Sequence, residues 1–457
     1  MKKLLILSVS LTLLALTTAC ESFVEVETPQ SQLTGSEVFE NHNTANAAVL
    51  DLFAKVRDNG LITGSALGTS VNLGLYTDEL IYYGTTDENV SHIFNNSLLA
   101  TNPTARQYWN DSYHQIYCAN AIIEGCQQSV SLQEPYKTQF TGEAYFIRAL
   151  LHFYLVNLYN DVPYIATTDY QQNRLASRMP KTLVYEQVVS DLLQAIEMLS
   201  TSYLTPDRVR PNKATAKAFL ARVYLYQENW LQAETLATEV INTTDYVWET
   251  DIDKIFLKES TATIWQFSPK MEGNNADEAS VFIFNDGPPP FVGLSPGLAT
   301  AFQPEDLRKS HWINTITDGT SIWYHAHKYK QNTNTGTSLE YSVVFRLAEQ
   351  YLIRAEARLK QGNEIGAKSD VNLIRNTAGL PDTPAVTEAA IFNDIMLQRR
   401  LEFFTEYSHR FFDLKRTGQL NAVLTPVKPG WNNTDAHWPI PETELLANPN
   451  MTQNPGY

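Results

Sequence analysis

The spacing of apolar residues predicts a chain built mainly from amphipathic helices. Apolar side chains occupy nearly every face of a helix that we expect to span residues 143–160. A helix that is apolar nearly all round is buried in protein or in lipid. Arg148, His152 and Asn157 interrupt the pattern, so no run reaches the roughly 20 apolar residues that a membrane span requires. This segment is therefore predicted to be a core helix with neighbours on several sides.

The same periodicity predicts further helices, two pairs of which resemble each other. The predicted helices cover residues 36–60, 105–128, 183–199, 213–227, 230–241, 347–359, 365–377 and 389–406. Ala221, Tyr224, Asn229 and Ala233 of the first pair correspond to Ala355, Arg358, Asn363 and Ala367 of the second. Small residues where paired helices cross are typical of tetratricopeptide units, which bury their faces by stacking. Unrelated amphipathic hairpins are the alternative interpretation.

Two regions lose the helical period. Residues 61–104 are rich in glycine and loop-like, and residues 242–341 contain short strand-like runs at 263–267, 281–284 and 322–329. We therefore predict a helical part over 36–241, an inserted loop-rich subdomain with short strands over 242–341, and a second helical part over 342–457. The tail from Leu420 lacks a regular period and is expected to drape over the surface.

The first residues are typical of an export signal. A charged start is followed by an apolar run that closes on Leu16-Thr17-Thr18-Ala19-Cys20. This resembles a bacterial lipoprotein signal over residues 1–19, with lipidation of the Cys20 thiol and an acidic tether over residues 20–35. It departs from the usual pattern in having Thr17 where a leucine is common. An ordinary secretory signal followed by a chance cysteine is the alternative. Acyl chains would hold the protein on a membrane without spanning it.

Composition and net charge limit the kinds of molecule that the chain is expected to bind. The 457 residues are 43% hydrophobic and 18% charged, which is typical of a globular protein. The formal net charge is −16, and without the two leader lysines 32 basic residues face 50 acidic ones, giving −18. This balance disfavours binding to nucleic acid or to an anionic membrane surface. Cys118 and Cys126 lie about 12 Å apart along one predicted helix, too far for a disulfide.

Candidate reactive groups are few. His325 and His327 share a strand face without a third metal ligand, and Asp251 with Asp253 is only a weak calcium pattern. No phosphate-binding loop, serine-hydrolase or zinc-protease motif is present. The charged residues between 402 and 416 are interpreted as an ion-pair network that fixes the last helix. We therefore predict no catalytic site, no metal site and no cofactor.

Four stretches, in this order along the chain, together resemble the SusD/RagB family, surface lipoproteins of Bacteroidetes that capture nutrients. They are EAYFIRAL at 143–150 with LYNDVP at 158–163, LIRAEA at 352–357 with VNLIR at 371–375, RRLEF at 399–403 with HRFFDLKR at 409–416, and PIPE at 439–442 with QNPGY at 453–457. The resemblance implies a mainly α fold, a right-handed tetratricopeptide-like superhelix with an inserted loop-rich subdomain. It also implies a partner, a TonB-dependent SusC-like outer-membrane transporter that the lipoprotein covers like a hinged lid.

Ligand contacts are expected from two loop zones, as the resemblance implies for the family. Sugar rings pack on aromatic side chains while polar groups bind their hydroxyls. The candidate residues are Tyr76, Asp78, Tyr82 and Tyr83 in the early zone, and Phe284, Trp323 and Tyr324 in the insert. Asp78 is expected to bind a hydroxyl group, and each aromatic residue has packing in the core as its alternative.

The predicted function is that of a binding protein without enzymatic activity. It would be lipid-anchored in the cell outer membrane, face the exterior, capture oligosaccharides and pass them to the SusC-like transporter. Three alternatives stay open: the same role with peptides as ligand, a glycosidase with paired carboxylates, and a scaffold that binds only protein.

Overall fold

The computed structural model of the protein describes residues 37–457. The predicted signal peptide, the Cys20 lipidation site, the tether and Ser36 lie outside the described residues. Among the helices that are described, none is both long enough and apolar enough to cross a membrane.

Helices make up most of the described chain, as predicted. They are α1 (His42–Asp58), α2 (Thr69–Tyr76), α3 (Glu88–Phe94), α4 (Pro103–Gln128), α5 (Glu134–Tyr159), α6 (Tyr170–Asn173), α7 (Lys181–Met198), α8 (Lys213–Tyr226), α9 (Trp230–Ile241), α10 (Asp277–Phe282), α11 (Pro296–Ala299), α12 (Leu307–Trp312), α13 (Leu347–Lys360), α14 (Glu364–Thr377), α15 (Glu388–Phe403), α16 (His409–Arg416), α17 (Leu420–Leu424) and α18 (Glu442–Ala447). Short 3-10 turns cover Glu37–Phe39 and Asn433–Ala436.

The strands are short and form two antiparallel sheets. They are β1 (Leu80–Tyr82), β2 (Thr263–Phe267), β3 (Val292–Leu294), β4 (Ile313–Thr317), β5 (Ile322–Ala326) and β6 (Ser342–Arg346). One sheet has the order β1-β3-β5-β4, and β2 pairs with β6 in the other.

Helix α5 is the predicted core helix, and the structure explains its polar interruptions. Arg148 forms two bonds to Asp191, with Nε–Oδ2 and Nη2–Oδ1 distances of 2.7 and 2.6 Å. His152 is fully buried between the Arg148 carbonyl and the Ile165 amide, and Asn157 accepts a hydrogen bond from Tyr185. Each of these three buried polar side chains therefore has a partner. The helix begins at Glu134, nine residues before the predicted start, because Gln133-Glu134-Pro135 supplies an N-terminus that the apolar period does not mark.

The tetratricopeptide-like pairs are confirmed. Helices α8 and α9 pack together, and α13 packs on α9, α14 and α15. Ala221, Ala233, Ala355 and Ala367 have no exposed surface, so the small residues do lie where the helices cross. Ile353 of the second unit joins the same apolar cluster as the first unit, which makes one stack of the two.

Several predicted elements are wrong in detail. Residues 61–104 contain α2, α3 and β1, and the helix expected from residue 36 begins at His42 with Asn41 as its N-cap. Residues 281–284 do not form a strand: Val281 and Phe282 are the last residues of helix α10, and residues 283–284 follow it without regular structure. Acidic side chains at Asp277 and Glu278 favour the start of this helix.

The C-terminal tail is anchored in the core, contrary to the predicted drape over the surface. Trp438 is fully buried and stacks on Tyr108 at a centroid distance of 5.7 Å. Its amide donates to the Leu158 carbonyl, and the Asn454 side chain donates to the Tyr159 carbonyl. The tail therefore holds the C-terminal end of α5.

Candidate ligand-binding site

The four-stranded sheet brings the two aromatic zones of the sequence together. Strand β1 comes from the early zone and pairs with β3 of the insert, so that Tyr82 lies opposite Val292. Strand β3 then pairs with β5, which places Leu294 opposite Tyr324. Residues that lie more than 200 positions apart in the chain therefore share one small sheet.

The strand register assigns the aromatic residues to two faces. Directly opposed residues share a face and successive residues alternate. Tyr82 and Tyr324 consequently lie on one face, where both pack against the main apolar core. Tyr83 and Trp323 lie on the other face; the Tyr83 amide extends the ladder by donating to the Phe291 carbonyl at 2.8 Å.

The second face is covered by a loop that we call the proline loop, residues 284–290, which holds Gly287-Pro288-Pro289-Pro290. A Cβ atom placed on Gly287 would lie 2.0 Å from the Trp323 ring, so backbone and ring are in direct contact. Phe284 packs on His325 with a centroid distance of 5.0 Å. Only 9% of Trp323 is exposed, whereas Tyr83 is half-buried. Tyr83 is thus more accessible than Trp323 on this face.

Tyr76 lies in the core rather than at the sheet. It has no exposed surface, and its ring makes edge contacts with Phe411, Trp431 and Trp438. Its hydroxyl donates to the Asp435 carbonyl at 3.1 Å. The side chain is used for packing in this structure, so we leave it out of the proposed site.

Asp78 is clamped by two arginine side chains. Arg410 binds both carboxylate oxygens at 2.8 Å through Nε and Nη2, and Arg400 Nη2 binds Oδ2 at 2.8 Å. Burial would raise the pKa of Asp78, but the hydrogen bonds and charges of Arg410 and Arg400 outweigh it and lower the pKa. Asp78 therefore ties the early zone to helices α15 and α16.

Glu79, the residue after Asp78, is also buried, but its pKa is shifted in the opposite direction. Burial, with a contribution from the Asp78 charge, raises its pKa to about 8. Its Oε1 has no hydrogen-bond partner within residues 37–457. The Glu79 and Asp78 carbonyls accept hydrogen bonds from the Ser295 amide and hydroxyl, which fixes β1 against the end of β3.

The histidine pair does not assemble a metal site with other ligands. The His325 and His327 rings lie 5.6 Å apart, and burial lowers the pKa of both, to about 4 for His327. Across the described part of the chain, no group of three or more His, Cys, Asp or Glu side chains is placed to hold a metal ion. Cys118 and Cys126 are free thiols, as their spacing predicts.

The predicted ion-pair network is present, but most of its partners lie in other elements. Glu402 pairs with Arg346 and Arg308, and Glu406 pairs with Arg346 and Lys328. These side chains are almost fully buried, so they join the C-terminal helices to the insert and to β6. Helical spacing accounts for only part of the network, such as the pair of Arg416 with Asp413.

Two family models match the chain. One, described as starch-binding and associating with the outer membrane, matches residues 76–225, and the SusD family model matches residues 299–457. The chain belongs to the SusD/RagB family. A relative from Formosa agariphila, "SusD-like protein P2", is 29% identical over 77% of this chain and 80% of its own length.

Solved structures agree with this family fold. A SusD superfamily protein from Bacteroides vulgatus superposes with a TM-score of 0.78 at 20% identity, covering 92% of this chain and all of the other. A structure titled "Laminarin binding SusD-like protein" gives a TM-score of 0.76 at 24% identity, over 91% of this chain and all of that one. These likenesses support the mainly helical, tetratricopeptide-like architecture.

Sequence reasoning missed the residues that cover and brace the sheet. The proline loop carries a visible signal in its run of prolines, but its contact with Trp323 depends on the fold. Arg400 and Arg410 lie in a motif of the family resemblance, and nothing in their spacing points to Asp78 more than 300 residues earlier.

Proposed function

We propose that this protein is an outer-membrane lipoprotein that captures oligosaccharides at the cell surface and passes them to a TonB-dependent SusC-like transporter. It acts as a binding protein and not as an enzyme. Cys20 carries the lipid anchor, and the body faces the exterior. Membership of the SusD/RagB family supports the binding role.

The observation that carries the proposal is the small sheet that unites both aromatic zones. Tyr83, half-buried on the face beside the proline loop, offers a ring face for a sugar. Tyr82 and Tyr324 lie on the opposite face, which packs against the core, but both keep part of their surface exposed. Aromatic rings bind the C–H faces of sugars while polar groups bind the hydroxyls. The starch-binding description of one matching family and the laminarin-binding SusD-like structure make glucose polymers the first ligands to test.

Affinity electrophoresis in gels that contain starch or laminarin tests the proposal. The Tyr82→Ala/Tyr83→Ala variant should bind about tenfold more weakly than the wild type, equivalent to about 1.4 kcal/mol. Tyr136→Ala is the matched control, because Tyr136 is 38% exposed on α5 and belongs to neither sheet. A further variant adds Trp323→Ala and Asp78→Ala to the double variant. If this quadruple variant binds the polysaccharides as tightly as the wild type, the sheet is not the binding site.

The same preparations separate the alternatives. An enzyme would release reducing sugars from the two polysaccharides, whereas the proposed protein should release none. Binding of a peptide library, with no binding to either polysaccharide, would favour the peptide role instead.

A further inference from the structure

A cavity lies on a part of the molecule away from the four-stranded sheet. It is lined by α4, by the segment 163–174 and by the C-terminal α18, and it has a volume of about 350 Å³. None of its lining residues belongs to the four-stranded sheet or the proline loop. We call it the tyrosine cavity, defined by Trp109, Tyr113, Tyr117, Tyr170, Arg174 and Glu444.

Three of its aromatic residues form a stripe on one helix. Trp109, Tyr113 and Tyr117 follow one another at intervals of four residues on α4, so they lie on the same face. The Trp109 and Tyr113 rings are 4.9 Å apart, and Trp109 makes an edge contact with Tyr159 of α5. This floor is fixed by core packing.

The rim of the cavity is more exposed than its floor. Tyr117 is 49% exposed and Tyr170 is 71% exposed, whereas Trp109 is 2% exposed. The Tyr113 hydroxyl is already used, since it donates to the Pro163 carbonyl at 2.8 Å. The two rim rings are therefore large aromatic surfaces that are open to a ligand.

Opposite charges face the cavity without pairing. Within residues 37–457, neither Glu444 nor Arg174 forms an ion pair, and the Arg174 side chain uses only Nε, in a 3.1 Å bond to Gln171. Burial raises the pKa of Glu444, although a hydrogen bond from Trp109 acts against the rise. A carboxyl group and a guanidinium group are thus both available to bind hydroxyl groups.

We propose that the tyrosine cavity is a second saccharide-binding site, specific for neutral pyranosyl oligosaccharides, an inference that rests on the proposed role in glycan capture. Rim rings would pack on the sugar faces, and Glu444 and Arg174 would accept from and donate to the hydroxyls. The volume lies within the range of small-molecule sites and is lined by aromatic groups with few polar ones, as such sites are.

The surroundings leave room for a chain of sugars. A neighbouring groove of about 560 Å³ shares Tyr117 and Thr168 with the tyrosine cavity, so the two lie side by side along α4. An oligosaccharide could extend from the aromatic floor into this groove past Tyr117. Two sites on one protein would raise its affinity for a polymeric glycan through multivalency.

Isothermal titration with maltohexaose and with laminarihexaose tests the inference. The wild type should bind two molecules of the effective probe, and Tyr117→Ala/Tyr170→Ala should reduce this to one. Both rings are exposed, so the fold should survive the change, which a thermal denaturation scan checks. Glu444→Gln, which keeps the shape of the side chain, should weaken the second site by about tenfold. Tyr136→Ala is the control and should keep both sites.

The sheet variant Tyr82→Ala/Tyr83→Ala separates this inference from the proposed function. Loss of one site in each double variant supports both. Binding that is lost in the sheet variant and unchanged in the cavity variant overturns the second site and leaves the proposed function standing. Binding that is lost only in the cavity variant supports the cavity and refutes the sheet. If neither hexasaccharide binds the wild type, both proposals fail for glucose oligomers. If a protein partner binds and its binding depends on Tyr117 and Tyr170, the assignment of the cavity to saccharides is overturned.

Discussion

Arg148 illustrates at the residue scale how a polar group can stabilise an apolar helix. Its pairing with Asp191 is buried on both sides, with 7% and 6% of the side chains exposed. Removing one partner of a buried pair costs about 3–5 kcal/mol, because the remaining charge loses its compensation. We expect Arg148→Met to lower the free energy of unfolding in urea by about that amount.

Lys55→Met provides the control for this prediction. Lys55 pairs with Asp51 at the surface, where exposed pairs contribute less than about 1 kcal/mol. Equal losses for Arg148→Met and Lys55→Met would contradict the structural role of the buried pair. The Arg148→Met/Asp191→Leu variant should recover part of the loss, since it removes the unpaired charge as well.

Glu79 gives a prediction about how the stability of the fold depends on pH. Its pKa in the folded state is about 8, above its ordinary value of 4.5, so the folded protein binds the proton more tightly than the unfolded chain does. Stability from this group is therefore complete below about pH 4.5 and is lost as the pH rises through 8. Glu79→Gln should match the wild type at pH 4.5 and exceed its stability at pH 9 by at least about 1.4 kcal/mol.

Urea denaturation at both pH values measures this difference. Glu259→Gln is the control, because the Glu259 side chain is 70% exposed and should show no such gain at pH 9. A Glu79→Gln variant that follows the wild type at both pH values would show that Glu79 is ionised without cost in the fold.

At the residue scale, the sequence indicates which residues break a pattern, but it does not indicate which residues they contact in the fold. Arg148 stands out in the sequence as an interruption in an apolar helix, but its partner Asp191 lies 43 positions away and cannot be found from helical spacing. Tyr76 and Tyr82 look alike in sequence, and only the tertiary fold places one in the core and the other at the sheet.

At the scale of elements, the proline loop and β5 form one packed unit. A methyl group on Gly287 would lie 2.0 Å from Cζ3 and 2.1 Å from Cε3 of Trp323, so Gly287→Ala must displace the ring or the loop. We expect altered tryptophan fluorescence and about tenfold weaker binding of the effective polysaccharide. Gly297→Ala is the matched control, because the nearest atom to its methyl group is the Ser295 hydroxyl oxygen at 3.8 Å. Equal affinity in the two variants would contradict a role of this unit in binding.

Elements were predicted correctly where the apolar period extends over many residues. They were missed where pairing between distant segments, and not a local pattern, forms the element. The hairpin of α8 and α9 has a regular apolar stripe, and its predicted start and turn agree with the structure to within one residue. Strand β2 was predicted with its observed bounds. By contrast β1 and β3 have three residues each, too few for a period, and they exist because they pair with each other across the chain.

At the scale of the whole molecule, sequence motifs were sufficient for the family and the scaffold but not for the arrangement of the sites. The family motifs lie largely in helices and in the buried network around Glu402, which hold the scaffold of this chain together. The two proposed sites use the strands β1, β3 and β5, the helices α4 and α18, and the loops beside them, where side chains from distant segments meet. A pattern within one segment does not show which distant segments come together in the fold. The stripe of Trp109, Tyr113 and Tyr117 is the exception, because it lies within one helix and is visible in the sequence.

The proposed place of the protein in the cell depends on Cys20, which lies outside the described residues. Lipidation of its thiol would hold the body at the outer membrane, since two or more acyl chains give stable anchoring. Cys20→Ser should move the protein from the outer-membrane fraction to the soluble fraction and abolish labelling with radioactive palmitate. Cys118→Ser is the control, because this partly buried thiol lies on α4 and should not affect labelling or fractionation. If Cys20→Ser stays in the membrane fraction without label, association must come from the protein surface or from a partner, and the lipid anchor would have to be abandoned.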